Sequence, residues 1–161
     1  MEIDLRKQML LMVRALYFTL EERWALLTRN YNISTAQQHV LYILFTNETA
    51  LTVTQISKMG CWHISTVTRL LKPLIQERYI VVCPDPFSSK TKCVEITEGG
   101  KALVQAILTD LVNAADFPYD LSDVSEEQMK EFLRLGLHIL QKQKGESFVN
   151  WVHQAEVIVN S

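Results

Sequence analysis

Three cysteines in 161 residues are too few for a disulfide framework, and Cys61, Cys83 and Cys93 contain no C-x-x-C pair. A structural zinc site of the usual spacing is not expected, and an odd count reads as reduced thiols in a cytoplasmic chain. No apolar run is long enough to span a membrane. A secretory signal begins with basic residues, but here Glu2 and Asp4 stand at the start and Arg14 interrupts the apolar run. The chain lacks a Gly-rich phosphate loop, a nucleophile motif, and metal-ligand spacing among His39, His63, His138 and His153. Enzyme chemistry, a metal and a cofactor therefore have no constellation to carry them. Glu126 and Glu127 read as first-turn carboxylates favoured by a helix dipole.

What is present is an ample apolar fraction of 48% and an uneven charge distribution. The net charge is −2, but residues 52–94 hold six basic and two acidic side chains, while residues 95–161 hold five basic and eleven acidic ones. Residues 1–51 are balanced. A basic middle between neutral and acidic arms implies one positive face, the electrostatic footprint of a nucleic-acid partner. Ordinary surface variation is the bland alternative.

Helical periodicity dominates the ends. Leu5, Met9, Met12, Val13, Leu16, Leu20, Trp24 and Leu27 recur at steps of three and four, which predicts a helix over 4–29 of roughly 38 Å. Ser34-Thr-Ala-Gln37, Thr52-Val-Thr-Gln55 and Ser125-Glu-Glu-Gln128 are capping-box patterns that open further helices. Leu51 is expected to pair with a later hairpin. Gly60 is expected to close the short helix in a left-handed turn, and a longer helix follows over 62–78. Residues 79–83 and 92–96 read as strands with Pro84-Asp-Pro86 as the break, and Ser88-Ser89-Lys90-Thr91-Lys92 as the tip. Thr97 caps a helix that buries Leu103, Ile107, Leu108, Leu111 and Val112. Residues 116–124 form a loop, Gly145 stops the next helix, and Phe148, Trp151, Val152, Ala155 and Ile158 suggest a last one.

On the helix over 62–78, Ile64, Val67, Leu71, Leu74 and Ile75 share one arc and should be buried. Ser65, Thr66, Arg69, Lys72 and Gln76 occupy the opposite arc, with Thr68 on the border and no carboxylate among them. A helix of this width fits a major groove, where Arg69 can take guanine O6 and N7 and short Ser65 and Thr66 permit close approach. His63 can donate to phosphate, as can Thr54 at the preceding helix start. Ser88, Ser89, Lys90 and Lys92 suit the sugar-phosphate backbone or the adjacent minor groove. A polar arc by itself is more often a solvated face. The preceding helix and the basic hairpin tilt the reading to double-stranded DNA.

These residues resemble the MarR-type winged helix-turn-helix transcriptional regulators, and within them the Hpr branch of protease-production and sporulation regulators. YNIS at 31–34, ISKMG at 56–60, HISTVTRLLKPL at 63–74 and ITEGGKAL at 96–103 carry the resemblance, which covers roughly residues 5–143. It implies a mainly α fold with a small β-hairpin: an N-terminal dimerisation helix over 1–30, a winged helix-turn-helix domain over 31–97, and C-terminal dimerisation helices over 98–161. It implies a homodimer on a pseudo-palindromic operator, acting as a repressor, with the recognition and wing roles on Ser65, Thr66, Arg69, Lys72 and Lys90. Half-sites would lie about 10 bp apart. The alternative is a winged-helix module that binds protein, an antirepressor with little DNA affinity. Family wings usually carry Asp-x-Arg where Ser88-Ser89-Lys90 stands, and Gly where Arg78 stands. Pro73 falls inside the recognition helix and should bend it.

Many such regulators take small aromatic ligands. Tyr17, Phe18, Trp24, Tyr31, His39 and Tyr42 are the residues that could line an effector cleft, although aromatics at helical spacing are more often core. Cys61, just before the recognition helix, could be a redox switch, or simply a small buried apolar residue. Cys83 and Cys93 flank the wing and are expected to face each other in reduced form.

Overall fold

The computed structural model describes residues 3–154 apart from 48 and 115. Its elements run α1 (Ile3–Leu27), α2 (Thr35–Phe45), β1 (Leu51–Thr52), α3 (Val53–Gly60), α4 (Ile64–Gln76), β2 (Ile80–Asp85), β3 (Ser88–Ile96), α5 (Glu98–Asn113), α6 (Glu126–Lys144) and α7 (Glu146–Gln154). The fold is mainly helical with one three-stranded antiparallel sheet in the order β1-β3-β2. Leu51 pairs with Val94, as its position before the helix start suggested. Ala155 and Ile158, read as part of the last helix, lie outside the described residues.

All three capping boxes form. Ser34, Thr52 and Ser125 each accept from the backbone N–H of the residue three positions on, and that residue's Gln side chain accepts from the cap's own N–H. Thr97 caps α5 in the simpler way, through Gly100 N–H. These caps satisfy N–H groups that a helix start otherwise leaves unpaired, typically about 1 kcal/mol each.

The core lies between α2, α3, α4, α5 and the sheet, where Val40, Leu41, Ile43, Ile56, Val67, Leu74 and Ile80 are almost fully buried. Each contributes on the order of 1.5–3 kcal/mol of burial. In α5 the buried set is Val104, Ile107, Leu108 and Leu111, while Val112, expected inward, is exposed. Gly100 brings the first turn of α5 against the backbone carbonyl of Tyr79, where a Cβ would collide.

Among the described residues, the side-chain bonds that fasten α1 to the rest of the fold lie from Leu16 onward. Trp24 Nε1 donates to Gln38 Oε1 at 2.7 Å, and the buried Gln38 amide donates in turn to Thr28 Oγ1 at 3.0 Å and to the Ile33 carbonyl. Tyr119 O–H donates to the Leu16 carbonyl at 2.7 Å, and Arg23 pairs with Asp116, which holds that carboxyl below its usual range. Among the described residues of α1 none is buried, and Leu5, Met9, Met12 and Val13 are exposed. Helix α6 also buries none of its residues and leaves Phe132, Leu133, Leu135 and Ile139 exposed. Helix α7 returns to the core, where Trp151 Nε1 donates to Thr46 Oγ1 at 3.0 Å.

Candidate nucleic-acid interface

Helices α3 and α4 meet at a three-residue turn built differently from expectation. Gly60 is the last residue of α3, and it is Cys61 that takes the left-handed backbone, at φ 57°. Gly60 serves by having no side chain: the Trp62 ring lies against it, and a Cβ there would fall inside that ring. The Ser57 carbonyl accepts from the N–H groups of both Cys61 and Trp62, and Ser57 O–H donates to the Trp62 carbonyl. The other side of the Trp62 ring meets His39 edge-on, with centroids 5.4 Å apart. Cys61 is exposed, so the reading of it as a small buried apolar residue is overturned.

His63 is the N-cap of α4. Its Nδ1 accepts from Ser65 N–H and lies 2.8 Å from Ser65 Oγ. A ring nitrogen that accepts from a backbone N–H carries no proton, so in the neutral ring the proton sits on Nε2, free to donate outward. Along α4, Val67, Leu71 and Leu74 are buried and Leu70 is half-buried, as expected of an inward face. Ile64 and Ile75, expected inside, are 48% and 41% exposed. The buried arc is centred on Val67 and Leu74, and those two isoleucines fall on its rim in the first and last turns. That rotation points Ser65, Arg69 and Lys72 directly outward, and all three are exposed. Thr66 is half-buried at the edge. Thr68 is exposed, and its hydroxyl donates to the Ile64 carbonyl at 3.0 Å. Pro73 leaves α4 one unbroken helix.

The capping box of α3 takes up the N–H groups of Thr52 and Gln55. The N–H groups of Val53 and Thr54 make no such bond, and Thr54 itself is exposed. After α4, Arg78 adopts φ 60°, the left-handed region in which glycine is at ease. Thr97 ties this turn to the wing: its hydroxyl lies 2.8 Å from the Arg78 carbonyl and 3.1 Å from that of Tyr79.

The wing is longer than its sequence implied. Strand β2 continues through Pro84 to Asp85, and β3 begins at Ser88, so the tip is Pro86-Phe87 and not residues 88–92. Pro84 is tolerated because the ladder is irregular there: Pro84 pairs with Lys92, but Asp85 pairs with Ser88. Ser88 is half-buried and its hydroxyl meets Thr91 Oγ1 at 2.9 Å, so it braces the hairpin. Ser89, Lys90 and Lys92 are exposed. Among the described residues, Arg69, Lys72, Lys90 and Lys92 form no ion pair with a carboxylate. Cys83 and Cys93 do pair across the hairpin as free thiols, with burial pushing the Cys93 thiol up. Sequence reasoning missed Phe87. Asp85-Pro86 is a turn-opening pair, and giving it that weight would have placed Phe87 at the tip.

The six aromatics proposed for an effector cleft are distributed over separate contacts. Tyr17 and Phe18 touch each other on α1. Trp24 packs on Phe117 and bonds Gln38, while Tyr31 donates to Asp110 at 2.6 Å, which pushes its hydroxyl up to about 12. His39 meets Trp62, and Tyr42 is half-buried against the core. A cavity of about 420 Å³ lies elsewhere, between α3 and the α6–α7 junction, lined by Leu51, Lys58, Met59, Lys144, Phe148 and Trp151. Among the described residues no group of His, Cys, Asp or Glu could hold a metal, and no helix is long and apolar enough to cross a membrane.

A helix-turn-helix whose second helix presents a cationic arc, followed by a two-stranded wing, is a winged helix-turn-helix fold, the fold of the MarR-type regulators. Solved structures of that type match: BldR of Sulfolobus solfataricus at TM-score 0.75 with 20% identity, covering 88% of this chain and 99% of that one, and SlyA at 0.70 with 17% identity, covering 90% and 97%. MepR of Staphylococcus aureus in its DNA-binding conformation gives 0.70 with 21% identity, covering 82% and 96%. In sequence the chain is similar to the HTH-type transcriptional regulator Hpr of Bacillus cytotoxicus, 27% identical over 97 residues, and to that of Bacillus thuringiensis, 25% identical over 97 residues. The match covers 60% of this chain, and the chain spans about half (52%) of the length of these relatives. No family model matches. The likenesses are to transcription regulators and not to enzymes.

Proposed function

We propose that this chain is a sequence-specific double-stranded DNA-binding transcriptional regulator that acts as a homodimeric repressor on a pseudo-palindromic operator. Helix α4 enters the major groove with Ser65, Thr66, Thr68 and Arg69 toward base edges. Lys72, His63 and the α3 start at Thr54 take phosphates, and Ser89, Lys90 and Lys92 of the wing follow the adjacent backbone. The observation that carries this reading is the coincidence of an outward arc on α4 and a wing that both bear cations without carboxylate partners. The apolar side chains left bare on the N-terminal half of α1 and on α6 support a second copy as their cover.

The test is binding to duplexes selected from a random library, measured against salt. Three cationic contacts per subunit in a dimer give a slope of log K on log salt of about −5. Affinity that is weak and flat in salt on every duplex would leave the protein-binding reading instead.

A further inference from the structure

Among the described residues Phe87 is the most exposed large apolar side chain, at 96%, and it stands at the extreme tip of the wing. It is held there. Phe87 N–H donates to Asp85 Oδ1 at 2.9 Å, which closes the turn and turns that carboxylate oxygen back onto the tip's own backbone. Pro86 fixes φ beside it, and the Thr91–Ser88 bond braces the strand that follows. A ring presented to water by so constrained a turn suggests a partner. Protein-binding anchors sit in an apolar patch. Phe87 has beside it the small rings of Pro84 and Pro86, and then Ser88, Ser89, Lys90, Thr91 and Lys92, a run of hydroxyls and cations. That setting fits a ring inserted among bases with its neighbours on the flanking phosphates.

We propose that Phe87 is an apolar wedge: the wing enters the minor groove beside the half-site and Phe87 inserts partway between two base pairs, unstacking and bending the duplex. Its specificity is then for deformability. Pyrimidine–purine steps unstack at least cost and are favoured under the tip, at a position α4 does not touch. This rests on the DNA-binding reading above and adds to it a second, independent source of sequence preference.

The experiment repeats the library selection with the wild-type protein and with Phe87→Ala and Phe87→Leu. Affinity is then measured on the wild-type selected duplexes, and end-to-end distance is followed by energy transfer. The wild type should enrich a pyrimidine–purine step flanking each half-site and shorten the end-to-end distance. Phe87→Ala should keep the half-site but lose the flanking step and the shortening, with affinity down about a hundredfold, about tenfold for each of the two base–aromatic stacks lost in a dimer. Phe87→Leu, still an apolar wedge, should retain most of the bend. Equal affinity, bend and selected sequence for wild type and Phe87→Ala overturn the wedge while leaving the DNA-binding reading standing. A change of oligomeric state in Phe87→Ala also overturns it, by making the ring a protein contact. Failure of the wild type to select any duplex sinks the underlying reading instead.

Discussion

Arg69 and Arg78 are nine residues apart and test different things. Arg69 projects from the centre of the outward arc of α4, so Arg69→Ala should weaken operator binding by about 1–3 kcal/mol if it reads a base. The paired measurement is a gel shift on the operator and on a scrambled duplex. Equal loss on both would assign Arg69 to phosphate, and no loss on either would remove it from the interface. Arg78 sits at φ 60° with an exposed side chain. Arg78→Gly should relieve the strain of a Cβ in that region and raise stability by up to about 1 kcal/mol, read as a higher urea midpoint at unchanged slope. His39 supplies a pH test. Burial lowers its pKa below 6.5, outweighing the opposing pull of Glu21. Because the unfolded chain then binds the proton more tightly, this contribution is whole above pH 6.5 and is lost as pH falls from there through the lower folded value. Urea midpoints of the wild type should decline over that window, and His39→Phe should flatten that part of the decline. An unchanged profile would mean that His39 titrates alike in both states.

Among the elements, the helices were legible because capping boxes and three-four periodicity are local signals, and Ser34, Thr52, Thr97 and Ser125 all cap where the sequence placed them. What was misplaced depended on packing. Ile64 and Ile75 fall on the rim of the buried arc of α4, in its first and last turns. Whether Gly60 or Cys61 takes the left-handed turn is decided by the Trp62 ring, which needs Gly60 for its lack of a side chain. The wing was shortened because Pro84 reads as a strand breaker, whereas β2 is an edge strand with a ladder irregularity at Pro84, where proline is tolerated. The cationic residues of the candidate interface were legible; the exposed ring between them was not, since the turn had been set six residues too wide. One consequence at this scale concerns the wing base. Gly100 lets α5 sit on the Tyr79 carbonyl, the same carbonyl that accepts from Thr97 N–H. Gly100→Ala must push the helix off that contact, at about 1–3 kcal/mol of stability. Differential scanning calorimetry should report the loss, and an unchanged melting temperature would mean that the helix shifts freely.

For the whole molecule, the question is what covers α1. Its C-terminal half is locked through Trp24, Gln38, Thr28 and the Tyr119 bond to Leu16, while Leu5, Met9, Met12 and Val13 extend beyond those locks and are exposed. An apolar stripe of this kind on a rod, together with the exposed Phe132, Leu133 and Ile139 of α6, is the face that the proposed homodimer would cover. A carboxylate on the stripe would have to be desolvated on association without a paired cation, which costs several kcal/mol per ion. Met9→Glu with Val13→Glu should therefore convert the protein to single chains by sedimentation velocity. The circular dichroism of the helices should be retained, because neither side chain is buried in the single chain. The DNA consequence follows from geometry. Two α4 helices held one helical turn apart bind a two-half-site operator far more tightly than one, whereas separated chains gain nothing from the second half-site. The double variant should bind one and two half-sites alike, and the wild type should prefer two by orders of magnitude. A wild type that sediments as one chain, or a double variant that still prefers two half-sites, would refute the proposed assembly.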